Sequence, residues 1–292
     1  MSIISDAVKA ARPNLSSSSI ATYTSILGSL YKKIWGAGEP DLSKFEDSAA
    51  VLAHLKNVPA AKRKTVLSAC VVLTGNQDYK KQMLSDVGTY NEDVKSQIMT
   101  EKQKESNVSP LQVREVYDQL AARANVIYKK KTQTISDLLE LQQFILMALM
   151  SGVYISPRRS LEWCVFKIKN IDQARDNFLD KNTLIFNVFK TVKCYGKQDV
   201  ACPPELRKIL LKWYKINPTE YLLFDSKFQK LTSPKITQML NKVFGKKVST
   251  NQLRHTYLTG RFAAYSKEQK EVAKTMSDMG SSESVLSNYV RF

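Results

Sequence analysis

The stretch EKQKESNVSP, residues 101–110, constrains this chain more than any other feature. It is polar, has no apolar periodicity and ends in a proline, so it reads as a linker between two folded parts. Directly after it, SPLQVREVYDQLAARANVIY opens a new helix with a serine cap and a proline in the first turn. The boundary is therefore expected near residue 107, with domains at 1–106 and 107–292. A chain of 292 residues has room for both.

The first part reads as helices with short connections. In SSSSIATYTSILGSLYKKIWG, serine caps precede Ile20, Tyr23, Ile26, Leu27, Leu30, Tyr31 and Ile34 at three- and four-residue spacing, the pattern of an amphipathic helix. Further helices are expected at 44–55, 60–74 and 77–100. The second part is mixed. Apolar residues 138–150 read as a core helix, and CVFKIKNI (164–171), TLIFNVFKT (183–191) and KQDVACP (197–203) read as strands with a turn at Tyr195-Gly196. Pro203-Pro204 opens a helix, and helices at 233–244, 250–264, 267–279 and 283–290 follow. The expected fold class is mainly α with one small antiparallel β-sheet: a helical domain followed by an α+β domain.

Charge narrows the function. The net charge is +17, from 44 Lys+Arg against 27 Asp+Glu. Residues 1–107 hold 14 basic and 11 acidic side chains and the remainder 30 and 16, so the excess lies in the second part. Such an excess predicts a polyanionic partner, nucleic acid before membrane surface. Four cysteines without CxxC spacing and two histidines make a poor zinc inventory. No stretch approaches the ~20 apolar residues of a membrane span, and the N-terminus has no signal pattern. A soluble intracellular protein with a nucleic-acid partner is the expectation.

Four segments hold the polar groups that such chemistry needs. In SGVYISPRRSLEW, Glu162 follows Arg159 by three residues and can reach it on one helix face; alone, that is an ordinary ion pair. The hairpin FNVFKTVKCYGKQDV places Lys190 and Lys193 before its turn and Lys197 after it, as a solvated turn or as a phosphate contact. NQLRHTYLTGRF sets Arg254 and His255 in an otherwise apolar helix. MGSSESVLSNYVRF ends the chain with Tyr289, which by itself reads as a packing tyrosine.

In this order, the arginine with its Glu, the hairpin lysine, the RHT box and the near-terminal tyrosine resemble the tyrosine recombinase (phage-integrase) family over residues 108–292. SSSSIATYTSILGSLYKKIW is similar to the opening helix of that family's core-binding domain. The PRRSLEW and KTVKCYGKQ forms are closer to its divergent branch in large DNA viruses and mobile elements. The resemblance implies a site-specific recombinase or integrase whose core-binding and catalytic domains form a C-shaped clamp on double-stranded DNA, working as a homotetramer on two duplexes. It implies Tyr289 as nucleophile, forming a 3′-phosphotyrosyl bond and a free 5′-hydroxyl. Arg159 (or Arg158) and Arg254 would clamp the phosphate, and Lys190 (or Lys193) would protonate the leaving oxygen. No cofactor or metal is implied, because the phosphotyrosyl bond conserves the energy of the broken linkage.

The chain also departs from that pattern. Tyr154 stands where the first arginine is usual, Asn251 where the second box begins with histidine, and Ser281 where a histidine or tryptophan follows the glycine. The resemblance leaves Asn251 to hydrogen-bond phosphate and His255 as the remaining imidazole. Further DNA contacts are expected from Lys62, Arg63, Lys64, Lys197 and Arg261. Two other readings share these residues: a type IB topoisomerase relaxing supercoils as a monomer, and a DNA-binding protein of the same fold that has lost cleavage.

Overall fold

The structure is a computed structural model that describes residues 3–96 and 98–280. The chain forms two compact units, residues 1–99 and 100–292. The break falls before the polar stretch, whose first half is itself a short helix.

The first unit is helical: α1 (Ile3–Ala11), α2 (Ser17–Trp35), α3 (Ser48–Leu55), α4 (Ala60–Thr74) and α5 (Gln77–Ser96). The expected helix at 44–55 is split. Residues 42–46 make a 3₁₀ turn, and Asp47 then caps α3 by accepting from the Ala50 amide at 3.0 Å. The Ser16 side chain caps α2 through Ser19, at 3.2 Å. The core joins Val8, Leu27, Tyr31, Phe45, Val51, Leu67 and Tyr79, and the Tyr79 hydroxyl donates to the Phe45 carbonyl at 2.7 Å.

The second unit begins with α6 (Glu101–Ser106), α7 (Pro110–Ile127) and α8 (Ile135–Met150). Thr100, Ser109 and Thr134 each start a helix with a reciprocal capping box. From Leu141 on, α8 is buried on nearly every side and forms the centre of the core. Its Gln142 side chain, fully buried, donates to the Phe224 carbonyl (3.1 Å) and accepts from the Phe224 amide (2.7 Å), satisfying a chain segment that no helix or strand covers.

After α9 (Ser160–Cys164) comes an antiparallel sheet of β1 (Phe178–Asp180), β2 (Thr183–Phe186) and β3 (Gln198–Ala201), in that order. Between β2 and β3 lies the helical turn α10 (Val192–Tyr195). The unit ends with α11 (Pro204–Ile216), α12 (Ser233–Phe244) and α13 (Thr250–Asp278). Mainly helical with one small antiparallel sheet is thus the fold observed.

Several expected boundaries are corrected. Residues 164–171 are not a strand: Trp163, Cys164 and Phe166 are buried at the end of a helical turn, and only isolated bridges form at Phe166 and Lys167. Residues 183–191 leave the ladder after Phe186, because the buried Asn177 side chain takes both backbone groups of Val188 (2.7 and 2.8 Å). The two expected helices at 250–264 and 267–279 are one 29-residue helix. The expected helix at 283–290 lies outside the described residues.

Candidate functional site

Three arginines from sequence-distant elements converge in the second unit. Arg158 and Arg159 lie at the start of α9, and Arg254 lies on the second turn of α13. Burial draws the Arg254 guanidinium below the ordinary arginine value, the positive charge of Arg159 draws it further, and Arg158 adds to this against the opposing pull of Glu162. The four groups are therefore near enough for their charges to act on one another. Glu162 is the one acid among them. It is 2% exposed, so it balances one positive charge of three.

The pairing differs from the expectation. Glu162 is ion-paired with Arg158, four residues before it, not with Arg159. Arg159 is the N-terminal flanking residue of α9, with extended backbone. Arg158 is held from several sides. Its Nε donates to Glu162, its Nη2 donates to Gln198 Oε1 at 2.8 Å, and its guanidinium lies 3.9 Å from the Phe186 ring centre. Arg159 is half-buried and free of any such clamp among the described residues.

Arg254 is presented by helical spacing. Arg254, Tyr257, Leu258, Arg261 and Phe262 share one side of α13 and, with Ser156 and Pro157, line an open pocket of about 280 Å³. The Tyr257 hydroxyl shares a 3.1 Å hydrogen bond with Ser156. Its ring lies where a β-carbon on Gly152 would be, 2.3 Å from the nearest ring atom, and Gly152 has φ of +81°. Only glycine allows both that backbone and that approach. Tyr154, which stands where an arginine was looked for, is engaged elsewhere: its hydroxyl meets that of Tyr117 at 2.6 Å. Helix α13 is itself fixed by the segment before α7. Thr256 donates to the Val108 carbonyl at 2.9 Å, Gln252 donates to the Asn107 side chain at 3.0 Å, and Lys246 donates to the Asn107 carbonyl.

The remaining expected site residues fall as follows. Lys190 and Lys193 are exposed on the segment joining β2 to β3, Lys190 directly after the buried Phe189. Lys197 is exposed and weakly paired with Asp199 at 3.8 Å. Asn251 and His255 are exposed on the first turns of α13. Arg261 lines the pocket. In the first unit Lys62 is exposed and Lys64 sits 3.0 Å over the Tyr90 ring centre. Arg63 is paired with Asp86, with contacts at 2.6 and 2.8 Å, and this pairing holds the Asp86 carboxyl below the usual carboxylate range. Asp86 is 2% exposed, so removing Arg63 would leave a buried charge unpaired. Ser281 and Tyr289 lie outside the described residues. Sequence reasoning missed Gly152, Asn177, Gln198 and Tyr257. Gly152 carried a signal, being a glycine just past an apolar helix; the other three carried none.

No family model matches the sequence, and no curated protein matches it. Solved structures to which the chain is similar are recombinases and integrases by name. One is a crystal structure of XerA recombinase, at 16% identity over 89% of this chain and 83% of that one, with a TM-score of 0.36. Another is a lambda integrase dimer bound to a COC′ core site, at 13% identity over 88% and 84%, with a TM-score of 0.48. A third is a lambda integrase tetramer bound to a Holliday junction, at 12% identity over 88% and 68%, with a TM-score of 0.44. Among the described residues no helix is long and apolar enough to cross a membrane.

Proposed function

We propose that this chain breaks and rejoins double-stranded DNA through Tyr289, as a recombinase or integrase of the tyrosine type. The observation that carries the reading is that Arg254 lines one pocket with Ser156 and Pro157, the residues directly before Arg158 and Arg159, while Glu162, the acid that acts on Arg254, is already ion-paired with Arg158. Like charges in a partly desolvated site favour an anion between them. Guanidinium offers a planar fork of donors suited to the non-bridging oxygens of a phosphodiester. The positive excess of the second part and the exposed lysines between β2 and β3 supply the surrounding phosphate contacts.

The reaction divides among the residues as follows. The Tyr289 phenolate oxygen attacks phosphorus, and the bond from phosphorus to the 5′-oxygen breaks. A phenol with reference pKa of about 10 needs nearby cations to attack at neutral pH. Arg159 and Arg254 stabilise the charge that grows on the non-bridging oxygens. Lys190 gives its proton to the departing 5′-oxygen, with Lys193 next along the same segment. Asn251, one turn before Arg254, hydrogen-bonds phosphate, and His255 is the imidazole nearest to it in sequence. Rejoining runs these steps backwards and needs no cofactor.

A nicked duplex library of randomised sequence tests this, because loss of the short strand past the nick traps the covalent intermediate. Wild type is expected to give a detergent-resistant protein–DNA adduct, and Tyr289→Phe none. Tight DNA binding without any adduct from wild type would leave the reading of a DNA-binding protein that has lost cleavage. Plasmid relaxation by monomer without strand exchange would favour the topoisomerase reading.

A further inference from the structure

Residues 187–197 leave the sheet after Phe186 and return at Gln198, and these two residues face each other across β2 and β3. Both ends of this loop are held. On the outgoing side, the fully buried Asn177 side chain donates to the Val188 carbonyl (2.8 Å), accepts from the Val188 amide (2.7 Å) and donates to the Glu162 carbonyl (3.0 Å). Phe189 then packs into the core at 5% exposure. On the returning side, Arg158 donates to Gln198 at 2.8 Å. The same guanidinium lies 3.9 Å from the Phe186 ring centre and 5.6 Å from that of Phe189, and its Nε is paired with Glu162. One side chain thus touches the last residue of β2, the first residue of β3 and the residue before Lys190.

We propose that Arg158 is a positioning residue. It joins the α9 turn, which carries Arg159, to the root of the 187–197 loop, and so sets Lys190 against the leaving oxygen without holding phosphate itself. The inference rests on the strand-cleavage reading above and assigns the neighbouring arginines different work. Arg158 has Nε and Nη2 engaged and a face covered by phenylalanine; Arg159 has neither among the described residues. Lysine could not replace Arg158, because one ammonium cannot present two fixed donors and a flat face together. The arrangement also separates Lys190 from Lys193. Lys190 follows the buried Phe189 directly, whereas Lys193 lies in the exposed turn α10.

The test uses two nicked duplexes of a cleavable sequence selected as above. One is ordinary DNA, and the other has sulfur in place of the bridging 5′-oxygen. A thiol ionises near pH ~8.5, so the thiolate departs without a proton donor. Adduct formation by Arg158→Met is expected to slow about 10²-fold or more on ordinary DNA, the usual loss when a general acid is misplaced, and to recover close to the wild-type rate on the sulfur substrate. Lys190→Ala should share that pattern, whereas Arg159→Ala should be slow on both. Gln198→Ala removes only the loop-side bond and leaves the Arg158–Glu162 pair intact, so it reports even where Arg158→Met folds badly. It is expected to show the same recovery with a smaller loss.

Equal slowing of Arg158→Met and Gln198→Ala on both substrates would overturn the proposal, and so would wild-type rates on ordinary DNA. Absence of adduct from wild type on either substrate would instead overturn the cleavage reading. Hydrogen exchange then judges the strut on its own: amides of residues 190–197 must exchange faster in Gln198→Ala than in wild type, and unchanged exchange sinks it.

Discussion

Gly152 shows how a single atom governs the arginine site. A β-carbon there would lie 2.3 Å from the Tyr257 ring, and the φ of +81° is strained for any other residue. Gly152→Ala is expected to cost at least about 2 kcal/mol in urea denaturation and to weaken DNA affinity by displacing the α13 turn that carries Arg254. Asp137 supplies a pH test at the same scale. Hydrogen bonding from Lys130 and then from the Thr134 amide holds its carboxyl down to about 2, against a usual carboxylate value of about 4. A depressed carboxylate stabilises above its unfolded value and loses that contribution as pH falls through its folded value. Wild type should therefore exceed Asp137→Asn in stability above about pH 4, and the gap should close as pH falls toward about 2. At this scale the sequence was legible where residue type alone carried the signal, as for the arginine runs and the capping residues. It misled where partners are chosen by direction. Glu162 lies three residues from Arg159 and four from Arg158, and either spacing allows a pair. In the structure the pair is made with Arg158. Likewise Lys62-Arg63-Lys64 read as one basic run, but only Arg63 lies opposite the buried Asp86.

Among elements, α2 announced itself through apolar spacing and its serine cap, and α4 runs over the residues 60–74 expected for it. The small sheet was harder to read. Residues 164–171 alternate like a strand, yet their burial comes from packing of Trp163 and Phe166 against Phe186 at 5.4 and 6.1 Å. No local pattern distinguishes that from a ladder. The stretch 101–110 was legible as polar sequence next to the break, which falls before it at residues 99 and 100, while the role of Asn107 and Val108 was not. Asn107 and Val108 accept hydrogen bonds from Lys246, Gln252 and Thr256, more than 130 residues away in the chain. Thr256→Val keeps the shape of the side chain and removes the donor to the buried Val108 carbonyl. It is expected to lower the unfolding free energy of the second unit by about 1 kcal/mol or more, the penalty for an unsatisfied buried acceptor, read as a lower denaturation midpoint. The first unit's transition should not move.

At the scale of the whole molecule, charge makes the clearest prediction. If the +17 net charge serves DNA binding, affinity for a duplex should fall steeply with salt. About six phosphate contacts would give a loss of about 10³-fold between 50 and 200 mM salt, read by fluorescence anisotropy. A flat response would remove the electrostatic part of the functional reading. The two units also differ in how far along the chain their contacts reach. In the first, neighbouring helices pack on one another, and the Tyr79–Phe45 bond spans 34 residues. In the second, the Thr256–Val108 bond spans 148. Long-range closure is slow, because the loop must be ordered before its contacts form. During synthesis from the N-terminus, the first unit can fold while the ribosome is still making the second. The arginine pair meets only after residue 256 has emerged and returned to Val108. Until then the nascent chain carries Arg158 and Arg159 without Arg254, so the proposed phosphate site is assembled only when the chain beyond residue 254 has folded back onto residue 108.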